Sequence, residues 1–156
     1  MNEMRRDLIA AVLLAFASLG GCVLPIDTPA GYVPLRDTGD KDFLAISARG
    51  NTLAVTEGGN EGGRPADLSF WAEAFKHEKV ELGRYRLKSE QEIRTAAGRE
   101  GRLLDLRLGQ GAAEYTWLVA LFVDPSRIVT VEACGPTSQL DPDRDKILAS
   151  VRTLRR

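Results

Sequence analysis

The sequence predicts an α+β domain in which an antiparallel β-sheet meander is flanked by helices, forming an α/β/α sandwich. Two observations predict this fold. Alternating or fully apolar runs separated by turn residues fill the region from Tyr85 to Cys134, which is typical of antiparallel strands. Segments with apolar residues at helical spacing lie on either side of it, and such helices pack against a sheet. The run Tyr115–Val123 is apolar on both faces and therefore predicts cover on both sides of the sheet.

The N-terminal segment resembles the signal peptide of a bacterial lipoprotein. Arg5 and Arg6 precede the apolar run Leu8–Leu19, and Leu19-Gly20-Gly21-Cys22 follows in the pattern of a lipobox. Twelve residues of helix span roughly 18 Å, too short to cross a hydrocarbon core of about 30 Å. A leader is therefore favoured over the alternative, a buried N-terminal helix of a cytoplasmic domain.

The resemblance implies that Leu19, Gly20 and Gly21 form the cleavage region, that residues 1–21 are removed, and that Cys22 carries a lipid group. That group is a diacylglyceryl thioether, usually followed by acylation of the new amino terminus, with palmitate among the acyl chains. Two or three chains anchor a protein stably, whereas one does not. Val23 follows the cysteine, where aspartate favours retention in the inner membrane of enterobacteria, so the outer membrane is the expected location.

The second cysteine, Cys134, closes an apolar strand. If Cys22 carries lipid, Cys134 has no intramolecular partner, and we expect a buried and inert thiol. The alternative is a Cys22–Cys134 disulfide, which would contradict lipidation.

Prolines and glycines recur after the lipobox, at Pro25, Pro29, Gly31, Pro34 and Gly39. This composition predicts an extended tether over residues 22–42, able to hold a single domain of residues 43–156 several tens of Å from the membrane.

The domain then follows in order. Two short runs around Gly50-Asn51 predict a hairpin, and residues 58–66 predict a loop. Asp67 is a predicted helix N-cap, and Gly83 ends or follows that helix.

Residues 85–95 and 104–108 predict two strands, each with one face in water. On the second strand, Asp105 and Arg107 form that face. Tyr115–Val123 and Ile128–Cys134 are the last strands, and Asp141-Pro142 is a predicted start for the final helix.

The order of these elements resembles the PsbP-like α/β/α sandwich superfamily. The segments that carry the resemblance are Asp67–Trp71 opening a helix, Gly98–Gly101, Glu114–Trp117 entering an apolar strand, and Ile147–Arg152 in the last helix. It covers residues 43–154. The resemblance implies the sandwich fold and a non-enzymatic, often assembly-related role, and it supplies no catalytic residues.

Few residues suggest a site. Trp71, Phe75, Tyr115 and Trp117 are candidates for a ligand pocket between helix and sheet, although aromatics at core spacing are more often core. His77 with Glu73 and Glu81 would line one helix face, but an ordinary solvated face is favoured over a metal site. Ser69 and His77 show no triad spacing. The glycine-rich residues 58–64 lack the ending of a phosphate loop.

The composition lacks the excess of basic residues typical of a nucleic-acid-binding protein, since 21 basic residues are balanced by 22 acidic ones. No cofactor or metal is predicted, and no catalytic motif is present. We therefore expect a lipid-anchored, periplasm-facing envelope protein that binds a protein partner or stabilises an assembly. A small-ligand or lipid-binding lipoprotein is the alternative, and an enzyme ranks third.

Overall fold

A computed structural model describes residues 25–60 and 66–155. The strands are β1 (Tyr32–Pro34), β2 (Phe43–Ser47), β3 (Thr52–Gly59), β4 (Arg86–Arg94), β5 (Glu100–Leu108), β6 (Tyr115–Val123) and β7 (Arg127–Pro136). The helices are α1 (Leu68–Lys76), α2 (Thr137–Leu140) and α3 (Arg144–Arg152). A π-helical turn, His77–Glu81, extends α1, and 3-10 turns occupy Gly111–Ala113 and Asp141–Asp143.

The seven strands form one sheet in the order β1-β2-β3-β7-β6-β5-β4, with every neighbouring pair antiparallel. After β3 the chain crosses through α1 to the far edge and returns as the meander β4 to β7. The last strand thus closes the sheet between β6 and β3, so β7 and the doubly apolar β6 lie away from both edges.

Helices cover both faces of the sheet, and each face has its own core. On the α3 face, buried strand residues such as Leu118, Phe122 and Val131 pack with Ile147 and Val151 of α3. On the α1 face, Ala72 packs with a smaller set of buried residues: Leu104, Leu106, Val119 and Leu121. The predicted α+β sandwich with an antiparallel meander is confirmed.

The N-terminus of α1 also confirms its prediction. Asp67 has an extended backbone, and its carboxylate accepts a hydrogen bond from the backbone N–H of Phe70 at 2.8 Å. This is the interaction through which an N-cap satisfies an unpaired helical donor.

The predicted tether does not extend through its described part. Ile26 has no exposed surface, Pro25 and Pro29 are buried, and Tyr32 is 6% exposed. Residues 32–34 form β1, which pairs with β2 at the sheet edge. The prolines and glycines were predicted to keep the chain extended, but turns close at Tyr32 and Lys41, and the segment packs against α3 and the sheet. The packed structure therefore includes described residues that precede Phe43.

The start of the final helix was predicted wrongly. The chain is already helical from Thr137, and Asp141 has helical backbone angles of φ −58° and ψ −39°. Leu140, which ends α2, is completely buried. Because Asp141 lies within helical structure, its carboxylate is not a cap; it bonds Arg107 of β5 instead.

Candidate functional surface

Among the described residues, helix cover on the α1 face of the sheet extends over only part of its width. Helix α1 packs on β5 and β6, and its edge reaches Ile128 and Thr130 of β7. Alternate side chains of β1, β2, β3 and β7 on this face remain wholly or partly exposed. We call these positions the open face: Val33, Leu44, Ile46, Thr52, Thr56, Thr130, Glu132 and Cys134.

The open face is apolar or weakly polar and carries one carboxylate. Val33 is 63% exposed and Ile46 is 36% exposed. Glu132 accepts a hydrogen bond from the Trp117 indole N–H at 3.1 Å and another from the Thr130 hydroxyl at 3.4 Å. Its charge is thus held against the sheet. A surface of this kind contacts another protein at little electrostatic cost.

Cys134 lies on this face, partly buried. Burial, together with the negative charge of Glu132, raises the pKa of its thiol to about 12, against a smaller lowering by a hydrogen bond with Thr52. A thiol of this kind holds almost no thiolate at neutral pH and is unreactive. The expectation of an inert side chain agrees with this environment, although burial is incomplete.

The alternative, a Cys22–Cys134 disulfide, involves a residue outside the described part of the chain. Pro25 lies at the C-terminal end of α3, on the opposite face of the sheet from Cys134. Three residues of chain reach at most about 11 Å, whereas disulfide-bonded Cα atoms lie within about 7 Å. A disulfide would therefore require Pro25 to lie within about 18 Å of Cys134.

Of the four aromatic residues proposed for a pocket, two line one cleft, and Tyr115, the first residue of β6, is 39% exposed. Trp71 and Phe75 line a cleft of about 240 Å³ between α1 and β7, with Ile128 and Thr130 on its other side. Trp117 packs instead beneath α1, its ring centroid 5.5 Å from that of Phe75 and 4.9 Å from that of Tyr85. Small-molecule pockets usually exceed about 300 Å³, so the cleft offers little room for a ligand.

Trp71 has a hydrogen-bond partner that the sequence did not suggest. Its indole N–H donates to the Asn60 side-chain oxygen at 3.0 Å. The Asn60 amide also donates to the carbonyls of Ala66 at 2.8 Å and Asp124 at 2.9 Å. Asn60 is 5% exposed and fixes the described ends of the glycine-rich loop to the start of α1. A single asparagine in a polar run gives no sign of this role.

A buried ionic cluster joins β5 to the final helices. The Arg107 guanidinium contacts Asp105 at 2.9 Å and Asp141 at 3.2 Å, and Arg144 contacts Asp105 at 2.7 Å. Arg107 is 2% exposed and also donates to the Thr116 hydroxyl. Burial alone would lower the pKa of Arg107, but hydrogen bonds to Asp105 and Asp141 raise it. Arg107 and Asp105 are buried, whereas Asp141 and Arg144 at the edge of the cluster are partly exposed.

This cluster corrects the prediction that Asp105 and Arg107 form a wet strand face. Both side chains lie on the α3 face, where the final helices cover them. The burial could not be predicted locally, because Asp141, the carboxylate that pairs with Arg107, lies 34 residues later in the chain.

The helical residues considered for catalysis or metal binding are dispersed. His77 Nδ1 lies 2.6 Å from Glu81 Oε2, while Glu73 pairs with Lys76. Ser69 and His77 are eight residues apart, which separates them by roughly 12 Å along a helix. Within residues 25–60 and 66–155, no group of three or more His, Cys, Asp or Glu side chains could hold a metal ion.

The lipobox, Leu19-Gly20-Gly21-Cys22, lies outside the described residues. In the part of the chain that the structure describes, no helix is long and apolar enough to cross a membrane.

Comparison with known proteins shows the fold and no closer relationship. No family model matches the chain, and no curated protein does. Among solved structures, a cyanobacterial PsbP (CyanoP) from Synechocystis sp. PCC 6803 superposes with a TM-score of 0.56 at 11% identity, covering 88% of this chain and 96% of that one. A Pseudomonas aeruginosa protein of unknown function, PA94, superposes with a TM-score of 0.52 at 12% identity, covering 88% and 86%. The predicted PsbP-like fold is therefore confirmed.

Proposed function

We propose that this protein is a lipid-anchored lipoprotein of the bacterial cell envelope whose domain binds a protein partner or stabilises an assembly without catalysing a reaction. The lipobox and the leader before it support the anchor on Cys22. Val23 in the next position supports the outer membrane, with the domain facing the periplasm.

The observation that carries the binding role is the open face. It combines exposed apolar side chains with a single carboxylate that is already hydrogen-bonded to Trp117. It also lies beside the edge strand β1, which has only three residues and contains Pro34. A short proline-containing edge discourages strand addition, so we expect the partner to dock on the face and not along the edge.

The lipid anchor is tested on the full chain made in a bacterium that processes lipoproteins. The purified protein should lack residues 1–21 and carry the added mass of a diacylglyceryl group on Cys22. Cys22→Ser should keep the leader, since the processing enzymes need the modified thiol. Equal masses and equal membrane partitioning of the two proteins would refute the anchor.

The binding role is tested by capture from detergent-solubilised envelopes of the same bacterium. The lipidated protein should recover one partner in stoichiometric amount. Ile46→Lys, which places a charge on the open face, should reduce recovery by about tenfold or more, the effect of losing an interface contact worth about 1.4 kcal/mol. Gln110→Lys, at an exposed position between β5 and β6, is the matched control and should recover the partner fully. Equal recovery by both variants would place the partner elsewhere.

The alternative function, binding of a small ligand or lipid, would use the cleft at Trp71 and Phe75. Its volume of about 240 Å³ suits a fragment of a ligand more than a whole one. Tryptophan fluorescence that shifts with envelope lipids and not in Phe75→Ser would support it.

A further inference from the structure

The described chain begins firmly attached to the C-terminal end of α3. The Pro25 carbonyl accepts a hydrogen bond from the backbone N–H of Arg155 at 2.9 Å. The backbone N–H of Asp27 donates to the Thr153 hydroxyl at 2.7 Å, and the Ser150 hydroxyl donates to the Asp27 carbonyl. With Ile26 completely buried between them, these contacts fix the path of the chain from its first described residue.

This attachment leaves little chain between the lipid and the domain. Cys22 and Pro25 are three Cα steps apart, a distance of at most about 11 Å. The polar layer of a bilayer is roughly 5 to 8 Å thick on each side, the difference between the total thickness and the hydrocarbon core. A lipid on Cys22 therefore places Pro25 at the surface of the membrane and not tens of Å from it.

Several loops lie at the same end of the molecule as Pro25. The backbone N–H of Ala96, in the turn between β4 and β5, donates to the Arg152 carbonyl at 2.7 Å. In that turn Arg99 contacts Asp124 of the β6–β7 turn at 3.0 Å. Asp124 in turn accepts from Asn60 through its carbonyl. We call this end the anchor end: residues 25–27, 95–99, 124–127 and the start of α1.

The anchor end presents an exposed aromatic side chain. Phe70, in the first turn of α1, is 58% exposed and contacts Trp71 edge to face, with ring centroids 5.5 Å apart. Apolar side chains such as Phe and Leu bury at the boundary between the headgroups and the acyl chains of a membrane. Among the basic residues nearby, Arg155 pairs with Asp27 and Arg94 with Glu100, while Arg152 at the end of α3 is exposed.

We propose that the anchor end lies against the membrane that carries the lipid, with the strands directed towards the bilayer and Phe70 in contact with its headgroup layer. The proposal rests on lipidation of Cys22. In this orientation the open face is roughly perpendicular to the membrane surface. A partner bound to the same membrane can then contact it from the side.

The test uses the full, lipidated chain in phosphatidylethanolamine–phosphatidylglycerol vesicles containing a headgroup-quencher lipid. With Cys134→Ser as background and Cys22 blocked by lipid, a fluorophore is placed at Ser69→Cys, beside Phe70, or at Ala112→Cys, in the exposed turn at the opposite end. We expect quenching about threefold or more stronger at position 69 than at 112, since a surface-bound residue lies within the headgroup region. Equal quenching at both positions would overturn the proposal.

Two further variants test its parts with the fluorophore at position 69. Phe70→Ser should weaken quenching if the ring contacts the bilayer. A ten-residue Gly/Ser insertion between Leu24 and Pro25 should weaken it further, because the chain then permits tumbling. Circular dichroism verifies that both remain folded, and unchanged quenching in both would contradict the proposed contact.

Failure of this proposal is distinguishable from failure of the proposed function. Mass and flotation with vesicles are measured first. A protein without lipid refutes the anchor, whereas a lipidated protein that floats and shows equal quenching at the two ends refutes only the orientation.

Discussion

Arg107 is a charged side chain held almost entirely out of water. It neutralises two carboxylates, Asp105 and Asp141, one from its own strand and one from the helical segment laid over it. An ion pair of this kind adds little stability compared with an apolar core, but removal of one member leaves buried charge without a partner. Asp105 and Asp141 therefore depend on Arg107 for charge neutralisation, even though the cluster adds little net stability.

Arg107→Met should therefore destabilise the domain by up to about 3 to 5 kcal/mol, because Asp105 and Asp141 lose the buried cation they share and keep only Arg144 as a partner. Urea denaturation followed by tryptophan fluorescence measures the change. Arg94→Met is the control: its ion pair with Glu100 is exposed, and surface pairs contribute about 1 kcal/mol or less. A loss at Arg107 as small as that at Arg94 would show that the cluster is hydrated or rearranges.

The Cys134 thiol should be unreactive in the folded protein. Its pKa of about 12 leaves a much smaller thiolate fraction than in an unfolded chain, where a cysteine has a pKa of about 8.5. Modification by a disulfide reagent at pH 8 should be slower by about 100-fold or more in the native state than in urea. Cys22→Ser keeps the other thiol out of the measurement, and comparable native and unfolded rates would contradict this account.

Among the elements, sequence pattern located most strands and helices and failed where long-range partners decide burial. The alternation in β4 matches a largely exposed edge strand, and the apolar run of β6 matches a strand covered by α1 and α3. The same alternation in β5 suggested a wet face, although Asp105 and Arg107 are buried. The alternation of charged residues indicates which side chains are polar. It does not indicate that Arg107 is buried, because that depends on its ion pair with the distant Asp141.

The candidate site was less predictable than the fold, for a related reason. Trp71, Phe75, Tyr115 and Trp117 were candidates for a pocket between helix and sheet, with core packing as the alternative. The open face consists instead of ordinary strand residues such as Ile46 and Thr56. Its exposure follows from α1 covering β5 and β6 and leaving the other strands bare. That outcome depends on where a nine-residue helix docks, which local periodicity does not specify.

The edge strand β1 is attached to α3 by a polar contact that responds to pH. Burial and the negative charge of Asp143 raise the pKa of Tyr32 to about 12, and its hydroxyl donates to Asp143 at 3.3 Å. The pKa of Asp143 is lowered despite its burial, because Lys146 and the hydrogen bonds from Tyr32 and Asn51 favour the carboxylate. An unfolded tyrosine ionises near pH 10.

Stability should therefore fall between pH 10 and 12, since the unfolded chain releases the Tyr32 proton while the folded chain keeps it. The slope from this group is at most about 1.4 kcal/mol per pH unit. Tyr32→Phe should be about 1 kcal/mol less stable at pH 7, through loss of a hydrogen bond, and should lose stability less steeply above pH 10. Tyr85→Phe, on the other face, is the control. Identical slopes for Tyr32→Phe and the unmodified chain would exclude this coupling.

At the scale of the whole molecule, the first 18 described residues decide how the domain relates to the proposed anchor on Cys22. Their prolines and glycines are typical of a linker, yet these residues include a buried isoleucine, a buried tyrosine and a strand. Hydrogen bonds of Pro25 and Asp27 with Arg155 and Thr153 hold this segment on the end of α3. The domain consequently has its N-terminal attachment on the same side as the end of its last helix.

This difference has a direct consequence for truncation. A chain of residues 43–156, the predicted domain, loses Ile26, Tyr32 and the pairing of β1, whereas a chain of residues 25–156 keeps them all. Each buried side chain contributes about 1.5 to 3 kcal/mol, and the total stability of a domain is about 5 to 15 kcal/mol. We therefore expect the shorter chain to be largely unfolded or to denature at a much lower urea concentration. Ile26→Ala in the longer chain should cost about 2 to 5 kcal/mol, which separates the loss of packing from the loss of β1. If residues 43–156 unfold at the same midpoint as residues 25–156, then the segment is a tether after all, and the short connection to the membrane has no structural basis.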